Sequence, residues 1–190
     1  MTTTTPENCL VAFLRGINLG KRRVKMADLR AHFETMDLNG VATFIASGNV
    51  IFDGAQEADI EDLERRLEEH LEERLGFYTD VIIRKFDEVA RITRLPLVSE
   101  AEKEGFTVHV FFAGSELNQG AEATFRALET PDDGFRVIGR EVLWLRRGRL
   151  TDSTVKAHHL QAAFGGVANT ARKMDTLRRL VVKFGFHDDV

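Results

Sequence analysis

The chain has 190 residues, a formal net charge of -4, 43% apolar and 29% charged residues, which is the profile of a soluble globular protein of one large domain or two small ones. The negative balance argues against binding nucleic acid by bulk electrostatics, though a local basic patch survives that argument. The single cysteine, Cys9, excludes an internal disulfide and a cysteine zinc cluster, no apolar run is long enough to span a membrane, and the polar stretch Met1–Asn8 lacks the parts of a signal peptide, so a cytoplasmic protein is expected.

Cys9 to Leu14 reads as a buried strand, with the cysteine as a small hydrophobe within it. Gly16 ends the strand, and a loop rich in cations follows. From Met26 the period becomes helical, with Met26, Leu29, Phe33 and Met36 on one face and Asn39-Gly40 as the stop. Val41–Ala46 is a second strand. Ser47-Gly48-Asn49 is turn chemistry, Val50–Phe52 a third strand, and Asp53-Gly54 its end.

Ile60, Leu63, Leu67, Leu71 and Leu75 form the clearest helical stripe, capped by Gly76. Glu61 with Arg65 and Asp62 with Arg66 stand four apart in the favourable order. The many glutamates read as a solvated face or as an acidic partner surface. Phe77–Lys85 is a fourth strand. Strand-helix-strand-strand-helix-strand is the order of a ferredoxin-like split βαβ unit.

Phe86–Leu95 reads as a short helix stopped by Pro96, and Ser99–Gly105 as a polar, acidic linker. The second half restarts the pattern. Phe106–Phe112 is a strand, Gly120–Leu128 a helix, and Phe135–Ile138 with Val142–Leu145 a hairpin. Val155–Phe164 is a helix with Asp152 or Ser153 as its cap. Asn169–Phe184 reads as a closing helix, with Leu180–Phe184 the alternative site for a missing strand, because periodicity cannot separate the two for a short apolar run. The expected fold is therefore α+β, with two ferredoxin-like (α/β plait) units at 8–98 and 105–190. The first is βαββαβ and the second βαββα plus a C-terminal helix. That is a structural duplication without obvious sequence repetition.

In such a unit the first two strands are parallel, so their C-terminal ends lie on one sheet edge. The loop at 15–25 and the turn at 47–49 both leave from there, beside the free N–H groups of the first helix. Arg15, Asn18, Lys21, Arg22, Arg23, Lys25, Ser47 and Asn49 are thereby expected to converge, with Gly16, Gly20 and Gly48 letting the backbone turn. One reading is a cradle for phosphate, carboxylate or sulfate. The other is a tight turn with a solvated basic rim, the glycines supplying positive φ and the asparagines satisfying backbone groups. A phosphate loop of the nucleotide-binding type fails on spacing. Gly16 to Gly20 is one residue short, and Arg22 stands where a magnesium-binding Ser or Thr is needed.

Leu14-Arg15-Gly16-Ile17-Asn18 with Gly20, followed by Ser47-Gly48-Asn49-Val50-Ile51-Phe52, resembles the bacterial "domain of unknown function 1697" family. The resemblance runs from Leu10 to about Phe184. It implies two ferredoxin-like units and carries no activity over. The family's C-terminal Thr-x-Arg-Asn-Trp-Asn-Thr is similar to Thr170-Ala171-Arg172-Lys173-Met174-Asp175-Thr176. Arg172 matches and joins the candidate ligand set on that ground. Lys173, Met174 and Asp175 depart from the pattern.

The residues support a binding module for a small phosphorylated or carboxylated ligand as the first function class. A phosphoryl-transfer or hydrolytic enzyme is the second. Acylphosphatases place an arginine loop after strand one of a similar fold, so Arg15 would clamp and Asn49 or Asn18 would place a water. A protein-interaction domain without a small ligand is the third. RNA binding lacks the paired exposed aromatics that sheet readers use. No cofactor or metal is implied, since His158 and His159 point about 100° apart on a helix.

Overall fold

The computed structural model describes residues 8–20, 22–54 and 59–185. These fall into two compact units, one running to Val89 and resuming at Leu180, the other spanning Ala90–Arg179. The architecture is mixed α+β, with two four-stranded antiparallel sheets.

The first sheet holds β1 (Cys9–Leu14), β2 (Asn39–Thr43), β3 (Asn49–Asp53) and β4 (Val81–Lys85) in the order β2-β3-β1-β4. Helices α1 (Met26–Glu34) and α2 (Ile60–Leu75) cover one face. Leu10, Ala12 and Leu14 of β1 meet Leu29 and Phe33 of α1 and Leu63, Leu67 and Leu71 of α2 in one core cluster. Each large side chain removed from water there contributes roughly 1.5–3 kcal/mol. Cys9, Val11 and Phe13 point to the opposite face and are buried too, which is why this central strand is apolar at every position. Burial, with Asp53 adding to it, pushes the Cys9 thiol up to about 11, so it stays protonated and inert.

Asp59 starts α2 by accepting the Asp62 N–H at 3.1 Å, and Gly76 ends it at φ 74°. The polar face of this helix differs from the expectation in two ways. Asp62 takes both Arg65 and Arg66, while Arg65 also reaches Glu69. More consequentially, not all of the glutamates belong to a solvated face. β4 is an edge strand, and its outward N–H groups need acceptors. Glu64, itself buried, accepts from Ile83 at 2.6 Å, and Glu68 accepts from Val81 at 2.9 Å. Glu88 accepts from Lys85 at 2.9 Å. Three alternate amides of the edge are thus closed by carboxylates, which denies that stretch to another strand.

Helix α3 (Phe86–Thr93) follows β4 directly, and α4 (Pro96–Lys103) lies where a polar linker was expected. Pro96 occupies the first turn, which costs no intrahelical bond, and Val98 and Ala101 are buried. The second sheet holds β5 (Thr107–Ala113), β6 (Asp133–Ile138), β7 (Glu141–Arg146) and β8 (Asn169–Lys173) in the order β6-β7-β5-β8, with α5 (Ala121–Arg126) and α6 (Ala157–Ala163) packed against it. Helix α7 (Met174–Phe184) closes the described chain.

Strand β8 corrects the reading of 169–184 as a closing helix in a βαββα unit. The missing strand is Asn169–Lys173, and Leu180–Phe184 stays helical. Helix α6 also begins later than expected. Lys156 donates its N–H to His159 Nδ1 at 3.1 Å at the start, and Ser153 is used elsewhere. A short repetition does accompany the duplication. Arg84-Lys85-Phe86-Asp87 and Arg172-Lys173-Met174-Asp175 each carry a fourth strand straight into a helix. Arg84 pairs with Val11 and Arg172 with Val110, at equivalent places in the two sheets, and both arginines are buried.

Candidate functional site

The chain leaves β1 at Leu14 and turns through residues 15–25. Gly16, Asn18 and Gly20 have φ of 74°, 58° and 59°, whereas Ile17 and Leu19 are not in the positive region. Alternating handedness of this kind turns successive N–H groups to one side, the geometry of an anion-binding nest. No acceptor among the described residues takes the main-chain N–H of Gly16, Ile17, Asn18, Leu19 or Gly20.

Asn18 fastens this shape. Its Oδ1 accepts the Val24 N–H at 2.8 Å, and Nδ2 donates to the carbonyls of Val24 and Ala46, each at 3.1 Å. Leu14 donates its N–H to Gly48 O at 2.8 Å. Gly48 has φ 70°, and a Cβ there would stand 3.0–3.1 Å from the side chains of Ile17 and Leu14. Asn49 is fully buried, with Nδ2 donating to Phe44 O at 3.0 Å and to Ser47 Oγ at 2.8 Å. The structure therefore brings Asn18 against the 44–49 turn, with Ser47, Gly48 and Asn49 shaping that turn. Both N–H bonds of each asparagine side chain are committed to the protein.

Arg15 goes the other way. β1 lies between β3 and β4, and Arg15 turns to the β4 side. Its N–H donates to Asp80 O at 2.9 Å, its carbonyl accepts from Thr79 Oγ1 at 2.7 Å, and its guanidinium stands 3.4 Å from the Asp80 carboxylate, with 40% of the side chain exposed. Lys21 lies outside the described residues. Arg172 belongs to the second unit. It is 8% exposed, donates to Thr170 Oγ1 and Ala171 O at 2.8 Å each, and burial lowers it to about 10, so it remains charged at neutral pH.

Two further cations of the expected set, Arg22 and Arg23, take specific partners in the loop. Arg22 lies over the Phe77 ring, its Cζ 4.5 Å from the centroid. Its Nη1 would meet a Cβ at Gly16 at 3.2 Å, so the guanidinium overhangs the first residue of the alternating run. Arg23 donates through Nη1 to the carbonyls of Gly20 at 2.9 Å and Arg22 at 2.7 Å, tying the end of the loop. Phe77 is a half-buried aromatic just beyond the end of α2.

A second polar cluster, in the other unit, is structural. Buried Asp133 accepts from Trp144 Nε1 at 2.8 Å and from Ser153 Oγ at 3.0 Å to both oxygens, so Trp144 is a core residue. His109 packs beside Trp144, and burial, reinforced by Arg146 and Lys173, lowers it to about 4. Among the described residues no group of three or more His, Cys, Asp or Glu side chains is placed to hold a metal ion. No helix is long and apolar enough to cross a membrane.

A family model described as "Protein of unknown function (DUF1697)" matches residues 8–143. The chain belongs to this family. The match takes in both loop motifs, β1 to β4 and the second unit as far as Leu143 in β7. Among solved structures, the chain is similar to the conserved bacterial protein SP0830 from Streptococcus pneumoniae, with 22% identity and a TM-score of 0.74 over 94% of this chain and 99% of that one. At that identity the likeness speaks for the fold. No curated protein matches the chain.

Proposed function

We propose that the chain is a binding protein for a small anionic ligand, phosphorylated or carboxylated, held at the loop after β1. The observation that carries the reading is the run Gly16–Gly20, which combines alternating φ with five main-chain N–H groups that have no acceptor among the described residues. Arg22 over Gly16 adds positive charge at its border, while Arg15 is paired with Asp80. In this reading Asn18, Ser47, Gly48 and Asn49 position the loop, and the main chain of Gly16, Asn18 and Gly20 with Arg22 contacts the ligand. The finer description of each unit as a ferredoxin-like plait belongs to the same proposal, supported by the shared strand order 2-3-1-4 with antiparallel neighbours. A cytoplasmic setting fits the lone, buried thiol.

Calorimetric titration with inorganic phosphate and pyrophosphate tests the reading in wild type, Arg22→Ala and Arg22→Lys. A charge-assisted hydrogen bond is worth about 1.5–3 kcal/mol, so Arg22→Ala weakens binding about tenfold or more while Arg22→Lys retains part of it. Absence of binding by wild type at millimolar anion refutes the proposal.

A further inference from the structure

Beside the loop lies an open groove of about 420 Å³ in the first unit. Val24, Leu75 and Phe77 give it apolar lining, Arg23 and Arg74 give it positive charge, and His32 adds an imidazole ring. Asp28 is the carboxylate in the lining. The groove and the loop are continuous through two residues. Arg23 lines the groove and is hydrogen-bonded to the loop carbonyl of Gly20, and Phe77 lines the groove and carries Arg22 on its ring. The volume falls within the range of about 300–1,000 Å³ usual for small-molecule sites.

An anion cradle alone would serve inorganic phosphate, which has no apolar surface to bury. Here an apolar floor starts where the cradle ends, between guanidinium groups whose flat faces suit a planar body. Resting on the anion-binding reading above, we propose that the ligand is an organic phosphate, a phosphate ester whose ring-sized apolar or planar body lies in this groove while its phosphate sits on the 16–20 loop. Charge supports that occupant over an apolar peptide, because the walls carry Arg23 and Arg74 against the single carboxylate of Asp28. His32 is held below its usual value by burial first, then by His70 and Arg74, with Asp28 opposing, so at neutral pH it offers an uncharged ring to the ligand's body.

Phenyl phosphate and inorganic phosphate, titrated calorimetrically at neutral pH, separate the two claims. Ala31 lies on the exposed face of α1 and lines the groove, so Ala31→Phe fills the groove without entering the core. The expected result is phenyl phosphate binding wild type at least tenfold more tightly than inorganic phosphate. Ala31→Phe brings phenyl phosphate down to the level of inorganic phosphate and leaves inorganic phosphate unchanged. The His32 ring protons in wild type shift on adding phenyl phosphate and stay in place with inorganic phosphate, and Ala31→Leu repeats the loss should the larger side chain unfold α1. Equal affinity for the two probes overturns the organic-body inference and leaves the loop reading standing. Failure of wild type to bind either probe overturns both.

Discussion

Replacing Asn18 by alanine isolates what holds the loop. The side chain makes three hydrogen bonds, to Val24 N–H at 2.8 Å and to the carbonyls of Val24 and Ala46 at 3.1 Å. Each is worth about 1 kcal/mol net, and water replaces part of the exposed one to Ala46. Alanine also has to sit at φ 58°, which costs it about 1 kcal/mol more than asparagine or glycine. Asn18→Ala is therefore expected to lose about 2–4 kcal/mol and Asn18→Gly about 1 kcal/mol less. Urea unfolding measures this, and the chain supplies its own probes, since its one tyrosine, Tyr78, lies in the first unit and its one tryptophan, Trp144, in the second. The loss is expected in the Tyr78 transition. A loss below about 0.5 kcal/mol for alanine, or a glycine variant weaker than the alanine one, refutes the staple and its φ argument together.

Two further outcomes follow from the same geometry. Gly48→Ala meets both a φ of 70° and side chains at 3.0–3.1 Å, so it loses about 2–4 kcal/mol, whereas Gly20→Ala meets only φ 59° in open space and loses about 1 kcal/mol; equal losses in denaturant titration would contradict the close packing of the two loops. His109 sets a pH dependence: its folded value of about 4 lies below the ordinary 6.5, so the unfolded chain takes up the proton first as pH falls. Stability is therefore unaffected above about pH 6.5, declines between about 6.5 and 4, and levels off below. After screening of a partly exposed ring the loss is on the order of 1–2 kcal/mol. Stability curves of wild type and His109→Phe at pH 7, 5.5 and 4 check this, and parallel curves would remove His109 from the account.

What the residues revealed in advance follows from what burial does to each side chain. β1, β3 and α2 were legible because their buried faces are apolar, and apolar periodicity is a direct record of burial. β8 was not. Asn169-Thr170-Ala171-Arg172-Lys173 has no apolar alternation, and its burial falls on Asn169, Thr170 and Arg172, with Arg172 satisfied in part by Thr170. A strand whose buried positions are polar leaves no apolar periodic trace. The shared Arg-Lys run before Phe86-Asp87 and Met174-Asp175 was the available clue. Glu64 and Glu68 failed for a different reason. Their role depends on a strand edge beside them, which the helix's own spacing cannot express.

The two loop motifs divide the same way. Asn18, Gly48 and Asn49 attract notice as ligand-binding residue types, yet their side chains and backbones are used to fasten the 15–25 loop to the 44–49 turn. Under the proposed anion-binding reading, binding falls to groups that the two motifs do not name, namely main-chain N–H groups and a cation positioned by an aromatic ring. A nest depends on the sign of φ at successive residues, and only the glycines hint at that sign. Asn18 completes the alternation at the middle position, where glycine would leave the loop unfastened and other residues would pay the left-handed cost. Asparagine alone tolerates φ 58° and spans from Val24 to Ala46 at once. Its place in Arg15-Gly16-Ile17-Asn18 is thus explained by loop rigidity, and rigidity is what an anion site made of backbone requires, because each N–H contributes only if it is already aimed before the ligand arrives.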